Sequence, residues 1–184
     1  MARLLYVTNT SLDGYIEDET GNFDWIEPDE EHHRFAGDLL RPVGTHLYGR
    51  RMYEAMSVWE SPPTDWPPYT QEFATIWQDA DKVVYSRTLE NVTTARTRLE
   101  RSFDPDAVRR LKATSAADII IAGPELAAHA IREGLVDEYQ TFVAPVIVGG
   151  GKPWLPADVR VDLVLLDHRL FSSGVVYLRY ASRA

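Results

Sequence analysis

The chain has 184 residues and no cysteine. A disulfide framework, a thiol nucleophile and a thiolate metal site are therefore excluded. No apolar stretch approaches the ~20 residues that a membrane-spanning helix requires. The first apolar run ends at Thr8, which is too early for the hydrophobic region of a secretory signal. These absences predict a cytoplasmic protein that does not bind a membrane.

Basic residues are also scarce, because the chain has only 19 Lys and Arg compared with 28 Asp and Glu. Its net charge is −9. A nucleic-acid surface needs a basic face to neutralise phosphates, so we expect no nucleic acid as a partner. A nucleotide cofactor remains compatible with an acidic chain, because it needs only a few local cations. The length and a hydrophobic content of 45% predict one globular domain over residues 1–184.

Strand and helix patterns alternate along the chain. Short apolar runs predict strands at 4–7, 45–48, 82–86, 91–95, 118–122 and 139–148. Helical spacing and capping residues predict helices at 29–40, about 50–56, from 105 and from 124 to 134. The segment 57–69 carries four prolines and is predicted to be an irregular loop. A hairpin at 163–180 completes a predicted α/β fold with a mixed, mostly parallel sheet and helices on both faces.

Four short turns stand where apolar strands end. They are Gly49-Arg50-Arg51, Ser86-Arg87-Thr88, Ala122-Gly123-Pro124-Glu125 and Gly149-Gly150-Gly151. A strand end that leads into a helix presents free N–H groups, and arginine adds fixed positive charge, so such turns suit phosphates. Taken singly, each turn could also be a surface turn with solvated side chains. Together they predict a small enzyme that holds a phosphorylated cofactor.

Five motifs carry a family resemblance over nearly the whole chain. They are SLDGYI at 11–16, GRRMYE at 49–54, KVVYSRTL at 82–89, GLVDEY at 134–139 and APVIVGGGKP at 144–153. The chain resembles the dihydrofolate reductase-like family, and most closely the C-terminal reductase domain of the bifunctional riboflavin-biosynthesis deaminase/reductase. The resemblance implies a single-domain, three-layer fold. It further implies a stand-alone NADPH-dependent reductase, a small heterocyclic or ribosylamino substrate, and a homodimer.

The resemblance also implies which residues contact the cofactor. They are Gly49, Arg50 and Arg51 near the adenosine and phosphates, Ser86 and Arg87 at the 2′-phosphate, Gly123, Pro124, Glu125 and Leu126 at the pyrophosphate, and Gly149 and Gly150 at the rim. A dianionic 2′-phosphate suits an arginine and a hydroxyl donor, which favours NADPH over NADH. One feature departs from the family's pattern, because Ala122 replaces the first glycine of the usual pair. Glu125 in the first helical turn suits the helix dipole but would repel a phosphate that lies too close.

Two carboxylates are candidates for catalysis. Asp13 lies in the loop that closes over nicotinamide and substrate in the family, although it is equally a turn residue. Glu31 is the best placed match to the buried carboxylate that dihydrofolate reductase carries on its first helix, because it precedes Phe35 by four residues. It could also be a solvated residue at the helix start, as most acidic residues there are. His32 and His33 are adjacent rather than four apart, so we expect no metal site.

Two other functions remain as alternatives. One is a non-catalytic nucleotide-binding module with the same fold, and the other is a small Rossmann dehydrogenase. No G-x-G-x-x-G follows the first strand, which argues against the dehydrogenase. In a reductase the hydride chemistry belongs to the cofactor, and this explains why no nucleophile or catalytic dyad is evident in the sequence.

Overall fold

The structure is a computed structural model that describes residues 1–25 and 28–183. Its strands are β1 Leu4–Thr10, β2 Tyr15–Glu17, β3 Val43–Gly49, β4 Asp81–Tyr85, β5 Thr97–Glu100, β6 Asp118–Ala122, β7 Glu138–Val143, β8 Lys152–Pro153, β9 Leu163–Leu170 and β10 Val176–Ser182. Its α-helices are α1 Glu30–Leu40, α2 Arg50–Met56, α3 Pro68–Asp79, α4 Pro105–Thr114 and α5 Pro124–Arg132. A 3-10 helix, Ser57–Glu60, follows α2.

The main sheet has eight strands in the order β5-β4-β3-β6-β1-β7-β10-β9. The strands from β5 to β7 pair in parallel, whereas β10 is antiparallel to β7 and β9 is antiparallel to β10. The run of isoleucines that ends at Ile121 forms a buried central strand, as its apolar character on both faces predicts. The predicted α/β fold, with a mostly parallel sheet and a C-terminal hairpin, is confirmed.

Helices cover both faces of this sheet. One face packs against α4 and α5 through Leu47, Ile119, Ile121, Val108, Ala127 and Ala130. The opposite face packs against α2 and α3 through Tyr48, Val84, Ile120, Tyr53 and Trp77. Near β7, the rings of Phe142, Phe171 and Tyr177 pack against Phe35 and Ala36 of α1.

Three details of the predicted secondary structure are wrong. The segment 57–69 is not irregular throughout, because it holds the 3-10 helix and the start of α3. Pro68 begins α3 without cost, since the first N–H groups of a helix have no partner within it. The strand predicted at 91–95 lies instead at Thr97–Glu100. The strand predicted to reach Val148 ends at Val143, just before Pro145, which has no N–H to donate to a sheet.

In residues 1–25 and 28–183, no helix is both long enough and apolar enough to cross a membrane.

Candidate active site

Three of the four predicted turns lie side by side at one edge of the sheet. β3 stands between β4 and β6, and all three strands run in the same direction. Gly49 is in register with Tyr85 of β4, and Tyr48 is in register with Ala122 of β6. Ser86 follows Tyr85 and Gly123 follows Ala122, so these two residues flank Gly49 at the ends of the neighbouring strands. The structure thus brings the first three turns together at the carboxyl edge.

The first two turns are joined by a direct contact. The Arg50 guanidinium donates to Thr88 Oγ1 at 3.0 Å and to Glu54 Oε1 at 2.7 Å. Ser86 is buried, and its Oγ accepts the N–H groups of Thr88 and Leu89 at 3.3 and 3.0 Å. The Arg50 side chain and the Ser86 oxygen therefore maintain the turns themselves. What the Ser86 hydroxyl retains for a ligand is its O–H donor.

Arg87 and Arg51 are the arginines of these turns that are open to an anion. Arg87 is exposed, and within the described residues its side chain makes no hydrogen bond or ion pair. The Arg51 side chain is 81% exposed, and its Nη1 lies 3.8 Å from Glu17 Oε1. Neither guanidinium is committed to a close internal partner, so both fit the anion-binding role that their positions predict.

The third turn forms the N-terminal end of α5. Gly123 has a φ of 96°, a left-handed conformation that side chains disfavour, and α5 begins at Pro124. Leu126 buries its side chain in the core, so a contact from this residue would use its backbone N–H. The Glu125 carboxylate accepts a hydrogen bond from Lys152 Nζ at 2.8 Å, and this bond lowers its pKa. Lys152 therefore offsets the negative charge that would repel a phosphate here.

The fourth turn packs on the loop that follows β1. Asp13 accepts the N–H groups of Val148 and Gly149 at 3.2 and 2.8 Å. A Cβ on Gly150 would lie 2.7 Å from Glu19 Oε1, so the fourth turn also lies close to the segment that follows β2. The structure thus brings Asp13 and Gly149 together, but neither they nor Gly150 line the cavity beside the other turns.

That cavity has a volume of about 550 Å³ and lies between the sheet and the helices α1 and α2. Its walls are mainly apolar, and they include Val7 and Ile120 from the sheet, Leu39 from α1, and Met52 and Met56 from α2. It reaches the third turn, because Gly123 and Pro124 also line it. Among residues 1–25 and 28–183, its charged lining residues are Glu17, Arg51 and Lys152. An apolar cavity of this size with a few polar groups is typical of a small-molecule site.

On α1, the cavity is lined by His32 and not by Glu31. Glu31 accepts hydrogen bonds from Arg169 Nη2 at 2.8 Å and from the Ser172 N–H at 3.2 Å. These bonds, led by that of Arg169, lower the pKa of Glu31. The predicted catalytic carboxylate is therefore held by the β9–β10 hairpin, outside the cavity wall.

His32 lines the cavity, and chemical reasoning from the sequence did not single it out. It is 5% exposed, and its ring stacks on Phe142 with a centroid separation of 4.4 Å. Burial lowers the pKa of His32 to about 4, with a smaller contribution from His33. A signal for its position exists, because His32, Ala36 and Leu39 follow the i, i+4, i+7 spacing of one helix face. All three line the cavity.

Residues 2–177 match the family described as the RibD C-terminal domain. The chain belongs to this family. It is 30% identical over 182 residues to the uncharacterized protein YyaP of Bacillus subtilis (strain 168), an alignment that covers 97% of this chain and 94% of YyaP. The resemblance inferred from the five sequence motifs is confirmed.

Two solved structures show the same fold. One, from Shewanella sp. PV-4, is provisionally described as a riboflavin biosynthesis protein; it has a TM-score of 0.77, 22% identity and 100% coverage of both chains. The other is dihydrofolate reductase from Enterococcus faecalis complexed with NADP(H) and RAB-propyl, with a TM-score of 0.65, 12% identity, and coverage of 99% of this chain and 97% of that one. Family and fold together support an oxidoreductase-like enzyme with a reductase-type fold.

Proposed function

We propose that this protein is an NADPH-dependent reductase acting on a C=N or C=O bond of a small heterocyclic or ribosylamino compound. One observation carries the proposal: Gly123, Pro124 and Arg51 belong to phosphate-suited turns and also line the apolar cavity. A ligand with anionic groups at the turns can therefore place its uncharged end in the cavity. That division of charge is the one a nicotinamide dinucleotide has.

The residues present fit this cofactor. The start of α5 and the Arg51 guanidinium suit a pyrophosphate, while Arg87 and the Ser86 O–H suit a 2′-phosphate. When bound, the cofactor supplies a hydride from its nicotinamide ring. The chain's part is to orient the two reactants and to exclude water with the apolar side chains of the cavity. Lys152 Nζ lies 3.4 Å from Glu17 Oε1 and 2.8 Å from Glu125 Oε1, so the two carboxylates share its positive charge.

Cofactor preference tests the role of Arg87. We expect NADPH to bind more tightly than NADH when both are titrated against intrinsic tryptophan fluorescence. Because a charge-assisted hydrogen bond contributes about 1.5–3 kcal/mol, Arg87→Ala should weaken NADPH binding by roughly tenfold or more and leave NADH binding nearly unchanged. Arg160→Ala is the matched control, since Arg160 is 87% exposed and pairs with Asp162. Equal losses for both cofactors in Arg87→Ala would contradict this role.

Turnover separates the reductase from a non-catalytic nucleotide-binding module. The placement of Glu31 outside the cavity wall favours that second function, because no carboxylate of α1 then reaches a substrate. The assay follows the loss of reduced-nicotinamide absorbance with 5-amino-6-(5-phosphoribosylamino)uracil and with dihydrofolate as substrates. If NADPH binds tightly but is not oxidised with either substrate, the result would favour the binding module.

The homodimer is proposed on the exposed edge of the sheet. β9 is the last strand on its side, and Leu165 and Leu166 on it are 50% and 49% exposed. An apolar edge strand is a ready surface for pairing with a second copy. We expect light scattering after gel filtration to give the mass of a dimer, and the double variant Leu165→Lys, Leu166→Lys to give a monomer. Val58→Lys, at another exposed apolar residue, should stay dimeric; a monomeric wild type would contradict the proposal.

A further inference from the structure

The turn at residues 86–90 is held by an arginine from the neighbouring strand. Arg101 directly follows β5, and β5 pairs in parallel with β4, which leads into this turn. Its Nη1 donates to Ser86 O at 3.3 Å and to Leu89 O at 2.5 Å, and its Nη2 donates to Glu90 O at 3.4 Å. Arg101 therefore ties the first residue of the turn to its last two residues.

The positive charge of Arg101 has no carboxylate partner. Most arginines of this acidic chain form an ion pair, as Arg98 does with Glu100 at 3.4 Å. Among residues 1–25 and 28–183, neither Arg101 nor Arg87 forms one. Arg87 belongs to the turn and Arg101 contacts it, so two cations without counter-ions lie at the same place in the fold.

These two charges favour an anion at the turn. Like charges repel each other unless they are neutralised, and a phosphate monoester close to both removes the repulsion. Most N–H donors of Arg101 already bind turn carbonyls, so its guanidinium is directed at the turn itself. The Arg87 side chain is exposed and makes no such bonds, so it is the one that can hold the phosphate.

The shape of the turn decides where its phosphate donors lie. Ser86 Oγ accepts the N–H groups of Thr88 and Leu89, which leaves its own hydroxyl proton for a ligand. Arg87 lies between these residues in the chain. A donor pair binds a phosphate well only when both members are held in a suitable geometry before the ligand arrives. The bonds from Arg101 supply that constraint from outside the turn.

We propose that Arg101 is a positioning residue that holds the turn 86–90 in the form that binds the 2′-phosphate of NADPH. The inference rests on the proposed reductase function and adds a residue that determines its cofactor preference. Arg101 acts through Arg87 and the Ser86 hydroxyl, which contact the phosphate. NADH carries a hydroxyl in place of this phosphate, so its binding does not depend on Arg101.

The adenosine half of the cofactor provides the test. 2′,5′-ADP carries the 2′-phosphate, whereas 5′-AMP lacks it, and isothermal titration of the full chain measures both. Arg101→Ala should weaken 2′,5′-ADP binding by about tenfold and leave 5′-AMP binding unchanged. Arg101→Lys keeps the charge and can donate to a turn carbonyl, so it should recover part of the loss. Arg98→Ala is the matched control on β5 and should bind both compounds as the wild type does.

A double-mutant cycle separates positioning from an independent effect of charge. If Arg101 acts through Arg87, then Arg101→Ala should weaken 2′,5′-ADP binding by less than about twofold once residue 87 is already alanine. Hydrogen exchange of the free protein gives a second readout, because the amides of Thr88 and Leu89 are bonded within the turn. They should exchange faster in Arg101→Ala and at the wild-type rate in Arg98→Ala.

Several results would overturn the assignment. They are no 2′,5′-ADP binding by the wild type, unchanged 2′,5′-ADP affinity in Arg101→Ala, equal losses for 2′,5′-ADP and 5′-AMP, additive losses with Arg87→Ala, and unchanged exchange at Thr88 and Leu89. If Arg101→Ala does not fold, Arg101→Gln replaces it in each comparison. A chain that binds 2′,5′-ADP as expected but does not oxidise NADPH would contradict the reductase and leave the role of Arg101 in place.

Discussion

Gly151→Ala is expected to weaken NADPH binding by more than about tenfold while the protein still folds. Gly151 has a φ of 133°, and a Cβ there would lie 2.0 Å from Glu17 O and 2.7 Å from Asp18 Cα. Both clashes are with backbone atoms, so either the backbone at residue 151 or that at residues 17–18 must move. Glu17 ends β2 and lines the cavity, and β2 pairs with β8, which begins at Lys152. The substitution therefore displaces Glu17 and Lys152, two charged residues that line the cavity.

Gly134→Ala separates this displacement from backbone strain alone. Gly134 also has a positive φ, 63°, but nothing lies within 4 Å of a Cβ placed there. That variant should lose about 1–2 kcal/mol of unfolding free energy through the left-handed conformation and keep its ligand affinity. Urea unfolding and NADPH titration of both variants provide the comparison. Equal ligand affinities in the two variants would contradict a role for Gly151 in shaping the cavity.

The sheet could be predicted from the sequence because its central strands are short apolar runs with clear limits. The helix α3 could not be predicted, because Pro67 and Pro68 suggest a break in regular structure. Proline is nevertheless well tolerated in the first turn of a helix. β5 also escaped prediction. It pairs with one neighbour only and is half-buried, so its residues alternate in exposure and do not form an apolar run.

The grouping of the first three turns depends on strand order, which the sequence does not reveal. That each turn ends a strand is visible in the sequence, but the adjacency of Gly49, Ser86 and Gly123 requires β3 to lie between β4 and β6. The contact of Asp13 with Gly149 spans 136 residues and is equally invisible. Its existence follows from the parallel pairing of β1 with β7.

The position of Glu31 outside the cavity wall has a different cause. The prediction sought a carboxylate on α1 and chose the residue four before Phe35. Phe35 faces the aromatic cluster of Phe142, Phe171 and Tyr177 and does not line the cavity. One residue along a helix rotates a side chain by about 100°, so a shift from Glu31 to His32 decides which group meets a ligand. The apolar spacing along α1 predicts the residues that line the cavity better than the search for a catalytic carboxylate does.

Removing the Glu138 carboxylate should have the largest effect on stability. Its side chain is 5% exposed and accepts from Arg179 Nε at 2.8 Å, from Arg179 Nη2 at 3.0 Å, and from Gln140 at 3.1 Å, with Arg3 as a second ion-pair partner. The substitution leaves Arg179, which is 29% exposed, without its carboxylate partner, so Glu138→Ala should cost about 1–3 kcal/mol of unfolding free energy. Asp158→Ala, which breaks the exposed pair with Arg132, should change urea unfolding little. Similar losses in the two variants would contradict this role.

The stabilisation by Glu138 should also disappear in acid. Burial alone would raise the pKa of Glu138, but the hydrogen bond and charge of Arg179, with the charge of Arg3, outweigh burial and lower it. The unfolded chain therefore binds the proton first as the pH falls. The stabilisation is complete above the unfolded-state pKa and is lost as the pH falls through the lower folded-state pKa. Because Gln resembles a protonated Glu, the gap in unfolding free energy between wild type and Glu138→Gln should narrow from about pH 7 to about pH 3. A gap of constant size would mean that the charge of Glu138 does not stabilise the fold.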